Sequence, residues 1–180
     1  MTVDCTDCRI SEPYPYERVW SNRWFSPKFK GAGLRYEIAV SIMRGDIVWV
    51  NGPFPCGQYP DIKIFMECGL KDNLDEGERV EADNGYEGAD PDFAKSKSGI
   101  FHPKSASSIR NTVCARHETV NKRIKQFGAL AGIFRHDLLK HSTVFHAVAL
   151  LTQLSIEDGE PLFNVEGYDD DNFYGKKDEF

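Results

Sequence analysis

The 180-residue chain is 41% hydrophobic and 28% charged, the composition of one globular domain large enough for a continuous core. No apolar run approaches the roughly 18–20 residues of a membrane-spanning helix, and residues 2–10, with two aspartates and an arginine, do not read as a secretory leader. Net charge is −6, and the odd count of five cysteines argues against a disulfide framework and for a reducing compartment.

Residues 1–10 read as a strand that begins abruptly, with Asp4 inside it, so its N-terminal part is expected to be truncated. Pro13 and Pro15 end it. The connection that follows interleaves Tyr16, Trp20, Trp24 and Phe25 with Arg18, Arg23, Lys28 and Lys30. Such a stretch either stacks bases and holds phosphates or is pinned to the core by its tryptophans. Residues 34–43 alternate, with Leu34, Tyr36, Ile38, Val40 and Ile42 on one face and Arg35, Glu37 and Ser41 on the other. Arg44-Gly45-Asp46 turns the chain into a second strand at 47–50, which makes a hairpin. After a loop at 51–57, Pro60 and Asp61 open a helix with Ile62, Phe65, Met66 and Leu70 as its inner stripe. A short strand at 78–82 ends in Asp83-Asn84-Gly85-Tyr86, and residues 87–107 read as a long loop.

A helix follows, with Ile109, Val113, Val120, Ile124 and Phe127 as its apolar stripe. Glu118 lies off that stripe, on a face shared with Ser107, Asn111, Cys114, Asn121, Lys122 and Lys125. Taken alone, Glu118 and Lys122 read as an ordinary i,i+4 pair. Asp137 caps a last helix over 138–154, whose broad apolar face is expected to hold Leu138, Leu139, Phe145, Val148, Leu151 and Leu154. Residues 156–180 carry nine acidic residues against two lysines, while residues 1–155 carry 19 acidic and 20 basic ones. The expected organisation is therefore a domain at 1–155 and an acidic, disordered tail at 156–180. Charge neither supports nor excludes a nucleic-acid partner. The element order predicts an α/β fold, a mixed sheet flanked by helices. Asp83, at a strand end, lies where ligands gather in open sheets.

Four segments carry a resemblance. Val3-Asp4-Cys5-Thr6-Asp7, Gly57-Gln58-Tyr59-Pro60-Asp61, Glu81-Ala82-Asp83-Asn84-Gly85-Tyr86, and Arg116-His117-Glu118 followed by Lys125 resemble, in order, the motifs of PIF/Harbinger-type DDE transposases. The likeness runs from Val3 to about Ile156. It departs from the family pattern at Cys5, where Gly is usual, at Pro60, where His is usual, and at Arg116, which lies one place closer to the Glu. It implies a ribonuclease H-like fold with Asp4, Asp83 and Glu118 as catalytic acids, and Asp61 as a further metal ligand. Which of Asp61 and Asp83 is the indispensable second acid stays open. The implied cofactor is Mg²⁺ or Mn²⁺ in a two-metal site, where hard oxygen ligands suffice and the metal offsets the mutual repulsion of the acids. The implied partners are DNA, as transposon ends and target, and a helical DNA-binding module that is separate or missing. Arg116, Lys122 and Lys125 are the expected DNA contacts, no membrane partner is expected, an oligomer is compatible, and a nuclear location follows.

Three further features read as structural. Cys5-x-x-Cys8 has metal spacing but no second pair, and a strand points its thiols to opposite faces. Asp7 lies opposite Asp4, and His117 reads as a surface or packing residue rather than a general base. Two other functions fit the same residues: a simple metal-dependent nuclease without strand transfer, and an inactive, domesticated or truncated remnant that binds a partner.

Overall fold

The computed structural model describes residues 1–13, 22–76, 78–89, 94–95 and 104–166. In chain order the main elements are β1 (Thr2–Arg9), β2 (Phe25–Ser26), β3 (Gly31–Val40), β4 (Ile47–Pro55), α1 (Asp61–Glu67), β5 (Val80–Ala82), β6 (Ala94–Lys95), α2 (Lys104–Gln126), α3 (Gly128–Ala131) and α4 (His141–Glu157). β1 pairs antiparallel with β3 along its whole length, from Thr2 opposite Val40 to Arg9 opposite Gly33. β4 is antiparallel to β3, while β5 runs parallel to β1 and β6 parallel to β5. The order β4-β3-β1-β5-β6 is a mixed sheet with its hairpin on one side of β1 and its parallel strands on the other. This is the ribonuclease H-like α/β arrangement that the sequence implied.

Both faces of the sheet are covered. On one, Cys8, Leu34, Tyr36, Ile38 and Val40 pack against Val120 and Ile124 of α2 and Phe145, Val148 and Ala149 of α4. The Tyr36 ring stacks on Phe145 with centroids 3.7 Å apart, and its hydroxyl lies 2.7 Å from Nδ1 of His141. On the other face, Val3, Ala39, Val80 and Ala82 pack against Phe65 of α1, Leu70 and Tyr86. β3 is therefore buried on both sides, and the polar half of its alternation, Arg35 and Glu37, points into protein rather than solvent. Glu37 has only one partner on the page, the Trp49 indole N–H at 3.0 Å, and burial raises its carboxyl to about 7.

Helix α2 keeps its expected stripe, with Val113, Val120 and Ile124 buried, and begins at Lys104, inside the segment read as loop. Two faces differ from expectation. In α1 the buried residues are Ile64 and Phe65, because the helix is only two turns long and Leu70 reaches the core from beyond its end. In α4 the inward residues are His141, Phe145, Val148, Ala149, Thr152 and Ile156, whereas Leu139, Leu151 and Leu154 are exposed. This helix is apolar almost all round, so periodicity could not choose its inner face, and two polar residues entered the core beside Tyr36 and along the helix axis. Asp137 does cap the segment, accepting from the Leu139 N–H at 3.0 Å across a 3₁₀ turn that precedes α4.

The acidic segment starts inside α4, and Ile156 and Leu162 are buried against the main core. Residues 167–180 lie outside the described residues, as do Tyr16, Arg18 and Trp20 of the aromatic and basic connection. Of the described part of that connection, Trp24 packs on the core with the Arg23 guanidinium over its ring, and Phe25, Lys28 and Lys30 are exposed. No helix among the described residues is long and apolar enough to cross a membrane.

Candidate metal centre

The site forms where two parallel strands part. β1 and β5 pair only at Thr2 with Glu81 and Val3 with Ala82. The next residues on each strand are Asp4 and Asp83. There β5 leaves the sheet for a 3₁₀ turn, Asn84–Tyr86, which opens a gap beside β1. Asp61, in the first turn of α1, meets them from a third element. Ligand oxygens of Asp4, Asp61 and Asp83 all lie within 4.8 Å of one another. The structure thus brings both candidates for the second acid into one group.

The turn is built for this approach. The Gly85 N–H donates to Asp83 Oδ1 at 2.7 Å. A Cβ on Gly85 would sit 2.8 Å from Asp61 Oδ2 and 2.9 Å from Asp83 Oδ1, so a side chain there would occupy the space between the two carboxylates. Arg35 holds Asp61 from behind. Its guanidinium lies 2.7 Å from Asp61 Oδ1 and 2.7 Å from Asp7 Oδ1, with both partners and Arg35 largely buried. Asp7 is therefore part of the frame: burial alone would raise its carboxyl, but hydrogen bonds from Arg35 and Ser26 outweigh that and hold it below the usual range.

Helix α2 lies along β1 with matched spacing. Asn121 Nδ2 donates to Asp4 Oδ2 at 2.8 Å, and His117, one turn earlier, has Nδ1 2.8 Å from Thr2 Oγ1. Four helical residues advance about 6 Å and two strand residues about 6.6 Å, so successive turns meet successive inward residues of the strand. The other Asp4 oxygen accepts the Cys5 N–H at 2.7 Å. This register places Glu118, exposed and adjacent to His117, at the rim of a pocket of about 50 Å³ that Asp4, Asp83, Glu81, Cys114 and His117 also line.

Electrostatics at the site favour a cation. Burial raises Asp4 from 3.8 to about 6, with Asp83 and Asp61 adding to the rise and Lys28 opposing it. Burial also raises Asp61, against the pull of Arg35 and Lys28. Two ionised carboxylates at 4.8 Å repel by roughly 3 kcal/mol at an effective dielectric constant of about 20, and three such pairs meet here. The donors are hard oxygens, the set that suits Mg²⁺ or Mn²⁺. The residues present therefore fit a divalent metal, with Asp4, Asp61 and Asp83 as the oxygen group and Glu118 across the pocket.

Of the three cations expected to meet DNA, Lys122 is exposed on α2, and Lys125 is half-buried near Asp4, Asp7 and Lys28, its ammonium lowered chiefly by burial. Arg116 goes elsewhere. It is 3% exposed, and its guanidinium donates to the Ile42 carbonyl beneath the β3–β4 turn. Gly45 of that turn, at φ +84°, leaves room for it. In this conformation Arg116 ties α2 to the hairpin rather than presenting charge to a polyanion. His117 is 2% exposed, and burial lowers its imidazole to about 3, so it is neutral in the fold. Cys5 and Cys8 are buried on opposite faces of β1, the first beside the Tyr86 hydroxyl and the second in the main core.

Three residues that frame the acids were not singled out from sequence for that work. Arg35 had a signal, since a charged residue alternating with core positions needs a buried counter-ion. Asn121 had one too, three residues after Glu118 on the same face. Lys28, whose ammonium donates to the Cys5 carbonyl at 3.1 Å, had none beyond its place in a basic stretch.

A family model described as DDE superfamily endonuclease matches residues 3–153. No curated protein and no solved structure matches the chain.

Proposed function

Because the chain belongs to the DDE superfamily endonucleases, we propose that it is a divalent-metal-dependent DNA endonuclease and strand-transfer domain of the PIF/Harbinger type, with Asp4, Asp83 and Glu118 as catalytic acids and Asp61 as a further ligand. The observation that carries this reading is the convergence of three aspartates from β1, α1 and the end of β5, with Glu118 across the pocket from two of them. Bound Mg²⁺ or Mn²⁺ would activate the attacking hydroxyl and stabilise the leaving oxygen of an in-line displacement at phosphorus.

The chain's own residues have separate tasks. Asp4 is oriented on both oxygens, by the Cys5 amide and by Asn121, and so presents its remaining lone pairs in a fixed direction. The Gly85 amide does the same for Asp83. Arg35 keeps Asp61 ionised and in place, and Lys28 supplies positive charge next to the acids, where a phosphodiester would bring two negative oxygens. Lys122 and Lys125 extend that charge along α2. Water as the attacking group gives a nick, and a freed 3′-hydroxyl in the same position gives strand transfer to target DNA.

Replacing Glu118 with Ala tests the assignment, since this residue is exposed and its loss leaves the core intact. The variant is expected to fold normally and to lose Mg²⁺- or Mn²⁺-dependent nicking of DNA. Full nicking by Glu118→Ala would sink the reading.

A further inference from the structure

Asp4 and Asp83 face two different surroundings. With Asp61 they form the group of oxygens within 4.8 Å. On the α2 side they line the 50 Å³ pocket together with Glu118, Cys114 and His117, and Asp61 is not part of that lining. The second surrounding therefore contains a nitrogen and a sulfur where the first has only oxygen.

The protonation of His117 follows from its neighbours. The Thr2 hydroxyl lies 3.3 Å from the Val40 carbonyl, which only accepts, so the hydroxyl proton points there. Towards His117 Nδ1, at 2.8 Å, the Thr2 oxygen is then the acceptor, and Nδ1 carries the imidazole proton. The lone pair is left on Nε2. That atom is buried and has no hydrogen-bond partner among the described residues. A buried lone pair on the wall of a pocket lined by carboxylates calls for a donor or a cation.

We propose that the pocket between Asp4, Asp83 and Glu118 is a second cation subsite in which Nε2 of His117 is a nitrogen ligand, so that the centre has one all-oxygen subsite and one mixed nitrogen–oxygen subsite. Imidazole favours first-row transition-metal dications over Mg²⁺, and the nearby Cys114 thiol adds to the soft character of the wall. Glu118 is exposed, so a change of rotamer brings its carboxylate over the pocket. The mixed subsite is selective for a transition metal, and the subsite with Asp61 accepts Mg²⁺ or Mn²⁺ alike. This rests on the reading of the acids as a metal centre.

The probe is Mn²⁺, bound to the untagged full chain and followed by calorimetry and pulsed electron paramagnetic resonance. Wild type is expected to bind two Mn²⁺ and to show the ¹⁴N coupling of a directly bound imidazole. In His117→Gln that coupling disappears and one of the two Mn²⁺ affinities falls at least tenfold, while Mg²⁺ binding changes less than twofold. Asp61→Asn is expected to lose the other ion and keep the ¹⁴N signal. Mn²⁺ bound to wild type without ¹⁴N coupling overturns the mixed subsite and leaves the endonuclease reading standing. If wild type binds no Mn²⁺ at all, both fail. Should His117→Gln not fold, the wild-type ¹⁴N spectrum decides the matter.

Discussion

Replacing Asp4 with Asn removes a charge that the fold disfavours and the function needs, so its effects on stability and on metal binding should have opposite signs. Asp4 is raised from 3.8 to about 6, first by burial and then by Asp83 and Asp61. With a folded value above the unfolded one, the folded state holds its proton more tightly, and stability falls as pH rises between the two values. Integrated, this costs the metal-free fold about 1 kcal/mol at pH 4.5 and about 3 kcal/mol at pH 7.5. Asn restores one of the two hydrogen bonds that Asp4 accepts from Cys5 and Asn121, and losing the other costs about 1 kcal/mol. In chelator, Asp4→Asn should therefore match wild type at pH 4.5 and exceed it by about 2 kcal/mol at pH 7.5. Urea unfolding at the two pH values measures this directly. Adding Mn²⁺ at pH 7.5 should then stabilise wild type by mass action and leave the variant unchanged. A variant that is less stable than wild type at both pH values would show that Asp4 is a structural acid and refute the reasoning.

Two other substitutions separate the ligands from the frame that holds them. Gly85→Ala puts a methyl group within 2.9 Å of carboxylate oxygens of both Asp61 and Asp83, so Mn²⁺ affinity measured by calorimetry should drop tenfold or more, while thermal unfolding in chelator changes little because Gly85 is exposed. Arg35→Met leaves Asp7 buried without its cation and should lower unfolding free energy by about 3–5 kcal/mol in urea, at pH 7 and with chelator present.

The parts of the molecule that could be read from the chain are those where one local rule decides the outcome. Asp4 and Asp83 stand next to the last residues of a short parallel pairing, and a strand end is visible as a change from Val80-Glu81-Ala82 to Asp-Asn-Gly. The stripe of α2 was legible because one side is apolar and the other is not. The inward face of α4 was not, since a helix apolar on every side gives the same periodic signal for several orientations, and the choice fell to how His141 and Phe145 stack on Tyr36. Arg35 and Glu37 looked like the solvent half of an alternating strand, because nothing local reveals that α1 and the turn after β5 cover that face. Arg116 illustrates the limit of reading charge as function: its guanidinium serves the Ile42 carbonyl, a partner 74 positions away.

The same comparison explains how a cluster of like charges survives in a fold that must also stand without metal. Each acid is offset by a different device: Asp61 by Arg35, Asp4 by a raised proton affinity and two donors, Asp83 by a turn amide and by solvent. None of these neutralises the group completely, and that shortfall is what gives a cation its binding energy. A site fully compensated by Arg35 and Lys28 would hold its shape and bind nothing. Arg35 is committed to Asp7 as well, and Lys28 sits at an exposed hairpin with its ammonium on a carbonyl rather than on a carboxylate. Countercharge is thus present at the rear and at one edge of the group and is lacking at its centre, which is where a divalent ion belongs.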